Sequence, residues 1–522
     1  MRGSRLGTSL PPQVAQGAQL SRLSLFSPLS SARSSQLLRN IHNRSSPATK
    51  LNLPSGQVTS TIAPLSSKYW PKYQIPEGAP QLIYEPKDAG PLTISWTNKH
   101  VLIQDGPGAA PRALRPVNLR DSCICPACKD ASSGQKSFAS TEIPSNIEIS
   151  SVRPTDAGLG IRFSNDMPRL PDHETLLAWH HLRAPRKRNP SSPASKSTIL
   201  ARTGVQYWDA ATLPKHMRKI DYADFMAGGA PFWDVVIDLC RLGIVYLKNV
   251  PRDESSVVLI TTRIANIRET LYGRTFDVRA KPDAENVAYT SGYLGLHQDL
   301  CYLRPPPMIQ VLHCMDNSCS GGESLFSDGE RVGRLLWPFV SAGAGRMASL
   351  AEHKVPYQYD KHGHFYHADR SVVDGDGGRF RGVYWSPPFQ GGYTDGNAEA
   401  TAGDDMTAWI EAARVFEALV SDGRAVHRHK MAEGECVLFD NLRVMHGRTA
   451  FDAARGGARW LRGAYNAAED FLSTAAHIPE GQADLCRGSE EWSDDQAQAE
   501  LRRSEWWPDV VRRVREVERA LG

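Results

Sequence analysis

At 522 residues the chain is too long for one small domain, and at roughly 100–200 residues per domain it predicts two or three. With 41% hydrophobic and 23% charged residues, 42 glycines and 35 prolines, it has the make-up of a loop-rich and strand-rich globular protein, which excludes collagen-like and wholly disordered classes. The net charge of +4 comes from 61 basic and 57 acidic residues and no apolar run is long enough to span a bilayer, so neither nucleic acid nor a membrane is an expected partner.

Residues 1–44 hold six arginines, nine serines and no carboxylate, and the first acid of the chain is Glu77. This is the composition of a mitochondrial or plastid transit peptide, and Leu20, Leu23, Leu25, Phe26 and Leu29, set among arginines, suit an amphipathic helix. A merely disordered Ser-rich tail has the same composition. Without the six arginines the net charge falls from +4 to −2, so the mature protein is not basic. The mitochondrial matrix is the expected location. Residues 45–80, rich in Pro, Ser and Thr, read as a linker.

From 81 to 183, short apolar runs such as Gln81–Tyr84, Leu92–Trp96 and Leu159–Phe163 alternate with turn residues and predict a small β domain. It contains Cys123, Cys125 and Cys128, a C-x-C-x-x-C spacing at which three thiolates can meet one ion; soft sulfur ligands suit Zn2+. The chain's nine cysteines are an odd number for a disulfide framework and favour a metal cluster in a reducing compartment. Residues 184–198, with Arg186, Lys187 and Arg188 among prolines and serines, read as an interdomain linker rather than a nuclear import signal.

Residues 199–474 form the second domain. Glu254–Tyr272 and Asp404–Ser421 have helical spacing, whereas Gly243–Leu247, Met308–Met315, Cys436–Phe439 and Arg459–Tyr465 read as strands. Residues 475–522 are a charged helical extension that ends with Val510, Val511, Val514, Val517 and Leu521 on one packing face.

His297 and Asp299 stand two apart. In a strand such residues share a face, so an imidazole and a carboxylate can converge on one cation. A third, distant histidine would complete the two-histidine, one-carboxylate triad of non-haem Fe(II). Of His353, His362, His364, His367, His427, His429 and His446, the last is preferred, because it follows an apolar strand and precedes Gly447. The His362-x-His364-x-x-His367 cluster lies instead in a Gly/Asp-rich stretch suggestive of a loop. Thirteen residues after His446 comes Arg459, which shares strand parity with Tyr465. An inward guanidinium needs an anion, either a co-substrate carboxylate such as that of 2-oxoglutarate or a buried acidic side chain.

Six blocks follow one another in order: Asn286-Val287-Ala288-Tyr289-Thr290, His297-x-Asp299, Ile309-Gln310-Val311-Leu312-His313-Cys314, Gly321-Gly322-Glu323-Ser324, Asp440-Asn441-x-Arg443-Val444-x-His446-Gly447-Arg448 and Arg459-x-x-x-Gly463-Ala464-Tyr465. Over roughly residues 80–470 the chain thereby resembles the γ-butyrobetaine hydroxylase and trimethyllysine dioxygenase family of Fe(II)/2-oxoglutarate oxygenases. The resemblance implies a mainly β chain with flanking helices: a double-stranded β-helix (jelly roll) catalytic domain plus a small zinc-binding β domain. It implies iron on His297, Asp299 and His446, and 2-oxoglutarate on Arg459 with the Ser324 hydroxyl beside it. It further implies O2 as co-substrate, His173 as the fourth zinc ligand, and a homodimer.

The same resemblance places Tyr272, Phe276, Asn286, Tyr289 and Tyr465 around the substrate. A trimethylammonium group donates no hydrogen bonds and is held by aromatic faces. Phe276 stands where the butyrobetaine enzymes carry Trp, and Tyr384-Trp385-Ser386-Pro387-Pro388-Phe389 replaces an Asn-rich segment. The spacing from His446 to Arg459 and the Asn286–Tyr289 block favour hydroxylation of γ-butyrobetaine to carnitine. Trimethyllysine or another small amine or carboxylate is the alternative, and a non-catalytic small-molecule binding protein retaining the fold is the alternative from another class.

Overall fold

The computed structural model describes residues 79–519, apart from 85–91, 107–108, 171, 183–195, 280–290, 377, 393–405, 453–455 and 488–492. The expected transit segment and nearly all of both linkers lie outside the described residues. Lys196, Ser197 and Thr198, counted above with the second linker, already belong to the helix Lys196–Thr203. The chain divides into two compact units, 1–183 and 184–522.

The first unit carries two antiparallel sheets. One is β1 (Gln81–Tyr84), β2 (Leu92–Trp96), β3 (Val101–Asp105) and β4 (Arg112–Leu114); the other is β5 (Glu148–Thr155), β6 (Gly158–Ser164) and β7 (Glu174–Ala178). Leu92, Ile94, Val101, Ile103, Ile149, Leu159, Ile161 and Leu177 form their common core. Cys123, Cys128, Phe138, Ile143, Ile147 and Met167 form a second, smaller cluster. A core this small gains a great deal from a metal that staples its loops.

In the second unit the strands run β8 (Lys219–Asp221), β9 (Ile244–Lys248), β10 (Phe276–Val278), β11 (Leu294–His297), β12 (Ile309–Asn317), β13 (Ser320–Gly321), β14 (Ser324–Asp328), β15 (Val355–Lys361) and β16 (His364–Arg370). They continue with β17 (Val373–Asp376), β18 (Arg379–Val383), β19 (His427–His429), β20 (Cys436–Asp440), β21 (Val444–Arg448), β22 (Phe451–Asp452) and β23 (Arg459–Asn466). Two sheets make the jelly roll: a larger one in the order β10-β23-β12-β20-β9-β8, and a smaller one in the order β11-β21-β14-β19. Their inner faces meet through Phe326 of the smaller sheet and Phe439 of the larger, whose ring centroids lie 5.5 Å apart.

The larger sheet is buried on both faces, which is why its strands read as almost unbroken apolar runs. Ile244, Tyr246, Leu312, Val437, Phe439, Leu461 and Tyr465 face the barrel interior. Val245, Leu247, Ile309, Val311, Cys436, Leu438 and Ala464 pack instead with Val235, Val236, Ile260 and Phe471 of the covering helices Ala230–Arg241, Ser256–Ile264 and Ala468–Ala475.

The helix expected over Glu254–Tyr272 spans only Ser256–Ile264. Buried Asn466 explains its early end, because its Nδ2 donates to the carbonyls of Thr261, Ala265 and Asn266 at the helix terminus. The chain then turns extended at Ala265 and runs along the sheet edge, with Arg268 N donating to Tyr465 O at 2.8 Å. The helix Met406–Val420 falls within the expected stretch. The unit also holds helices that the apolar spacing did not reveal, notably Ala230–Arg241 and Gly329–Val340. In the C-terminal extension Val510 and Val514 are buried, Val511 and Val517 are half-buried, and Leu521 lies outside the described residues. Among the described residues, no helix is long and apolar enough to cross a membrane.

Candidate active site

The register of the smaller sheet makes His297 of β11 and His446 of β21 direct partners, and their rings lie 4.4 Å apart. Cross-strand pairing thus brings two imidazoles together from positions far apart in sequence. Asp299 arrives differently from expectation. β11 ends at His297, so the strand pleat does not aim the carboxylate; a turn does, with Leu300 in the left-handed region at φ +58°. Buried Asn441 holds that turn, accepting from Asp299 N at 2.7 Å and donating to Asp299 O at 3.0 Å and Pro307 O at 3.1 Å.

The three donor atoms lie within 4.8 Å of one another. Asp299 Oδ1 is 3.3 Å from His297 Nε2, and Oδ2 is 3.7 Å from His446 Nε2. His297 Nδ1 lies 2.8 Å from Gly295 O; a carbonyl only accepts, so Nδ1 donates to it, and this bond turns Nε2 toward the carboxylate. Burial raises the Asp299 carboxyl, but His446, His297 and the Tyr465 hydroxyl outweigh it and hold it well below the usual carboxylate range. Burial, aided by His297, brings His446 down to about 3. Two imidazoles and one carboxylate are the donor set of a divalent non-haem metal with open positions, and Fe(II) fits it.

Arg459, Leu461 and Tyr465 of β23 line the pocket beside this triad, as their shared parity requires. Arg459 is 6% exposed, and its Nε donates to Gly322 O at 3.3 Å. Burial lowers it to about 10, and the neighbouring groups that oppose this are the thiols of Cys314 and Cys319. Among the described residues no carboxylate pairs with it, which sets aside the buried ion pair considered from sequence. Gly322 (φ +70°) makes room for the guanidinium, since a Cβ there would meet Arg459 Cδ at 3.0 Å. Ser324, at the start of β14, opens onto the same pocket, as does Arg448, which the sequence reading gave no role. The pocket therefore offers a buried cation and a hydroxyl beside a metal site, the pattern needed for a bidentate 2-oxo acid with a distal carboxylate.

Tyr272, Phe276 and Tyr465 form part of the wall; Asn286 and Tyr289 lie outside the described residues. Phe276 stacks on Tyr465 with centroids 4.9 Å apart at 21°, over Gly463, where a Cβ would meet Phe276 Cζ at 2.3 Å. Tyr272 sits 6.4 Å from Phe276, tilted by 52°, and its hydroxyl is 3.4 Å from that of Tyr302. Phe389 adds a wall from the unusual Tyr384–Phe389 segment. That segment is fastened to the metal loop: Trp385 N donates to Gln298 Oε1 at 2.8 Å, and Ser386 Oγ donates to Gln298 O at 2.7 Å.

His362, His364 and His367 lie on the β15–β16 hairpin and its turn, and His367 Nε2 is 3.0 Å from Asp369. They do not converge. Among the described residues the groups able to hold a metal are the triad and one further cluster, Cys123, Cys125, Cys128 and His173.

In that cluster His173 Nε2 lies 3.8, 3.1 and 3.4 Å from the sulfurs of Cys123, Cys125 and Cys128. A tetrahedral Zn2+ with Zn–S about 2.3 Å and Zn–N about 2.0 Å requires nitrogen–sulfur separations of about 3.6 Å, so this cluster can bind zinc with no position left open. His173 directly precedes β7, and a helix begins at Trp179. Two residues without a sequence signal complete the surroundings. Fully buried Arg120 donates to Cys128 Sγ at 3.2 Å and binds Asp166 at 2.7 Å, and Asp166 lies 3.5 Å from His173 Nδ1. The guanidinium offsets thiolate charge, and the carboxylate orients the imidazole.

Residues 205–465 match the family model of taurine catabolism dioxygenases, TauD/TfdA family, and residues 85–183 match that of the gamma-butyrobetaine hydroxylase-like N-terminal domain. Among curated relatives, dioxygenase str8 of Strobilurus tenacellus is 32% identical over 362 residues, covering 66% of this chain and 81% of that one. A gamma-butyrobetaine dioxygenase of Pseudomonas sp. (strain AK-1) is 27% identical, covering 68% and 88% of the two chains. A trimethyllysine dioxygenase of Meyerozyma guilliermondii is 23% identical, covering 70% and 90%.

Proposed function

The chain belongs to the TauD/TfdA dioxygenase family and is an Fe(II)/2-oxoglutarate-dependent oxygenase of small molecules, and from that premise we propose that it hydroxylates γ-butyrobetaine to carnitine. The observation that carries this reading is the joining, in one pocket, of the triad, the buried Arg459 and a wall of aromatic rings. Relatives named for γ-butyrobetaine and for trimethyllysine support the substrate class.

His297, Asp299 and His446 would hold the iron. When bound, Fe(II) with 2-oxoglutarate and O2 supplies oxidative attack on an unactivated C–H bond, with succinate and CO2 as co-products. Arg459 would grip the distal carboxylate through charge-assisted donors, and Ser324 would add a hydroxyl to it. Leu294, Leu312, Phe326 and Leu461 keep the pocket apolar, which excludes water and strengthens the ionic contacts within it. Tyr272 and Phe276 would face a quaternary ammonium and orient the chain of the substrate across the metal position.

One observation favours a second reading, an uncharged substrate. The Phe276–Tyr465 stack closes those two faces against each other, so no cation fits between them. Succinate release from the purified protein with γ-butyrobetaine, trimethyllysine and 5,5-dimethylhexanoate, the tert-butyl isostere of γ-butyrobetaine, tests both. Turnover of γ-butyrobetaine alone upholds the proposal, and turnover of the isostere that lacks the ammonium at an equal rate overturns it.

The composition of residues 1–44 supports residence in the mitochondrial matrix, which import assays with and without that segment would test. A homodimer is proposed on the family likeness, and sedimentation velocity would test it.

A further inference from the structure

Gln310 and Tyr465 are direct cross-strand partners on β12 and β23, and their side chains end on the same atom. Gln310 Nε2 donates to Asp299 Oδ2 at 2.8 Å and the Tyr465 hydroxyl donates to it at 2.6 Å. An ionised carboxylate has about two acceptor sites on each oxygen, so these two donors occupy Oδ2. Oδ1 faces His297 Nε2 at 3.3 Å, while Oδ2, besides its two donors, lies 3.7 Å from His446 Nε2.

We propose that Gln310 and Tyr465 are positioning residues that hold Asp299 as a one-oxygen metal ligand, reserving Oδ1 for the ion and leaving the other coordination positions for the co-substrates. The inference rests on the triad as the iron site and not on the choice of substrate.

Two details support a dedicated arrangement. Gln310 is 1% exposed, and its Oε1 has no hydrogen-bond partner among the described residues. A buried amide left half-satisfied is unfavourable, and the orientation observed is the one that keeps the donor on Asp299. Tyr465 is likewise buried, and its hydroxyl ends on the carboxylate while its ring stacks on Phe276. The hydroxyl and the ring thus have separable tasks.

The test is Co(II) binding to the full chain, stripped of metal at the triad and free of organic substrate, followed by titration and by the visible spectrum of the bound ion. Tyr465→Phe keeps the ring and its stack and removes only the donor; Gln310→Leu removes the other. Each is expected to weaken Co(II) by about 10–100-fold, the usual effect of losing a group that orients a ligand. Each should also alter the spectrum, as Oδ2 becomes free to bind. Co(II) affinity within twofold of wild type and an unchanged spectrum in Tyr465→Phe would overturn the proposal, even if Gln310→Leu fails to fold. Because no substrate is present, failure of the γ-butyrobetaine reading leaves this result untouched.

Discussion

The side-chain amide of Asn441 grips the backbone of Asp299 from both sides, accepting from its N–H at 2.7 Å and donating to its carbonyl at 3.0 Å. Asn441 directly follows β20 of the larger sheet, so this contact ties the metal-bearing turn to the wall opposite the smaller sheet.

Asn441→Ala should therefore do two things at once. It strands buried backbone groups of Asp299 and Pro307, each worth about 1–3 kcal/mol, so urea denaturation should show a loss of at least about 2 kcal/mol. It also frees the turn, so Co(II) affinity at the triad should fall with the stability. Asn441→Asp keeps one acceptor but loses both donated bonds and should not rescue either property. Full metal affinity in a destabilised Asn441→Ala protein would show that the clamp serves the fold alone.

His297 and Asp299 do come together with His446, but not through the strand pleat that their two-residue spacing suggests. A shared pleat needs a strand through Asp299, whereas the chain leaves β11 at His297 and turns through Leu300. Parity did hold where the strand was continuous, as in Arg459 and Tyr465. Asn441 and Gln310 sat within the quoted motifs, yet composition and spacing say nothing of which backbone or carboxylate an amide reaches. The overlong helix at Glu254–Tyr272 failed for the same kind of reason, because Asn466, some two hundred residues away in sequence, terminates it. The knuckle Cys123-x-Cys125-x-x-Cys128 was legible because three soft ligands lie within one short loop, while Arg120 and Asp166 meet it only in three dimensions.

Zinc removal should reach the first unit before the catalytic one. Cys125→Ser replaces a thiolate whose sulfur lies 3.1 Å from His173 Nε2 and should reduce zinc content by close to one ion per chain. Because structural zinc contributes folding free energy directly, the variant should also show a lower melting transition and faster proteolysis within 79–183. Elemental analysis checks the first outcome and limited proteolysis the second. Unchanged zinc content would refute the ligand set.

Arg459→Ala should separate co-substrate binding from metal binding. Arg459 reaches the pocket from β23, its Nε donates to Gly322 O, and its guanidinium is the cation proposed above to meet the co-substrate. Loss of a charge-assisted pair of this kind costs about 1.5–3 kcal/mol, so the apparent KM for 2-oxoglutarate should rise by roughly 10–150-fold. Co(II) affinity should stay near that of the wild type. A parallel loss of metal would assign Arg459 to the architecture of the site.

Stability should carry an acid limb traceable to His313. This residue is fully buried on the helix-facing side of β12, and burial, with the nearby charge of Arg252, lowers it to about 4 from 6.5. Its folded pKa lies below its unfolded one. The contribution of the neutral ring is therefore complete above pH 6.5 and is lost as pH falls toward 4, by at most about 3 kcal/mol. His313→Leu should be as stable as wild type at pH 7 and lose less between pH 6.5 and 4. Urea midpoints at pH 7, 5.5 and 4.5 check this, and parallel curves for the two proteins would remove His313 as the cause.

The aromatic wall can be made to report the charge of the substrate. Tyr465 is a poor probe, because its hydroxyl is on Asp299 and any substitution there disturbs the metal ligand. Tyr272 is a better one: its ring lines the pocket and its hydroxyl lies beside that of Tyr302, away from the metal ligands. Tyr272→Leu retains apolar volume and removes the ring quadrupole. A quaternary ammonium should then bind more weakly by about 0.5–2 kcal/mol, whereas 5,5-dimethylhexanoate, of the same shape without the cation, should lose little. The difference between the two losses isolates the cation–π contribution, since packing defects affect both ligands alike. Equal losses would mean that Tyr272 acts by contact area alone. Together with the closed Phe276–Tyr465 stack, that result would identify the substrate group lying over the metal position as an uncharged one.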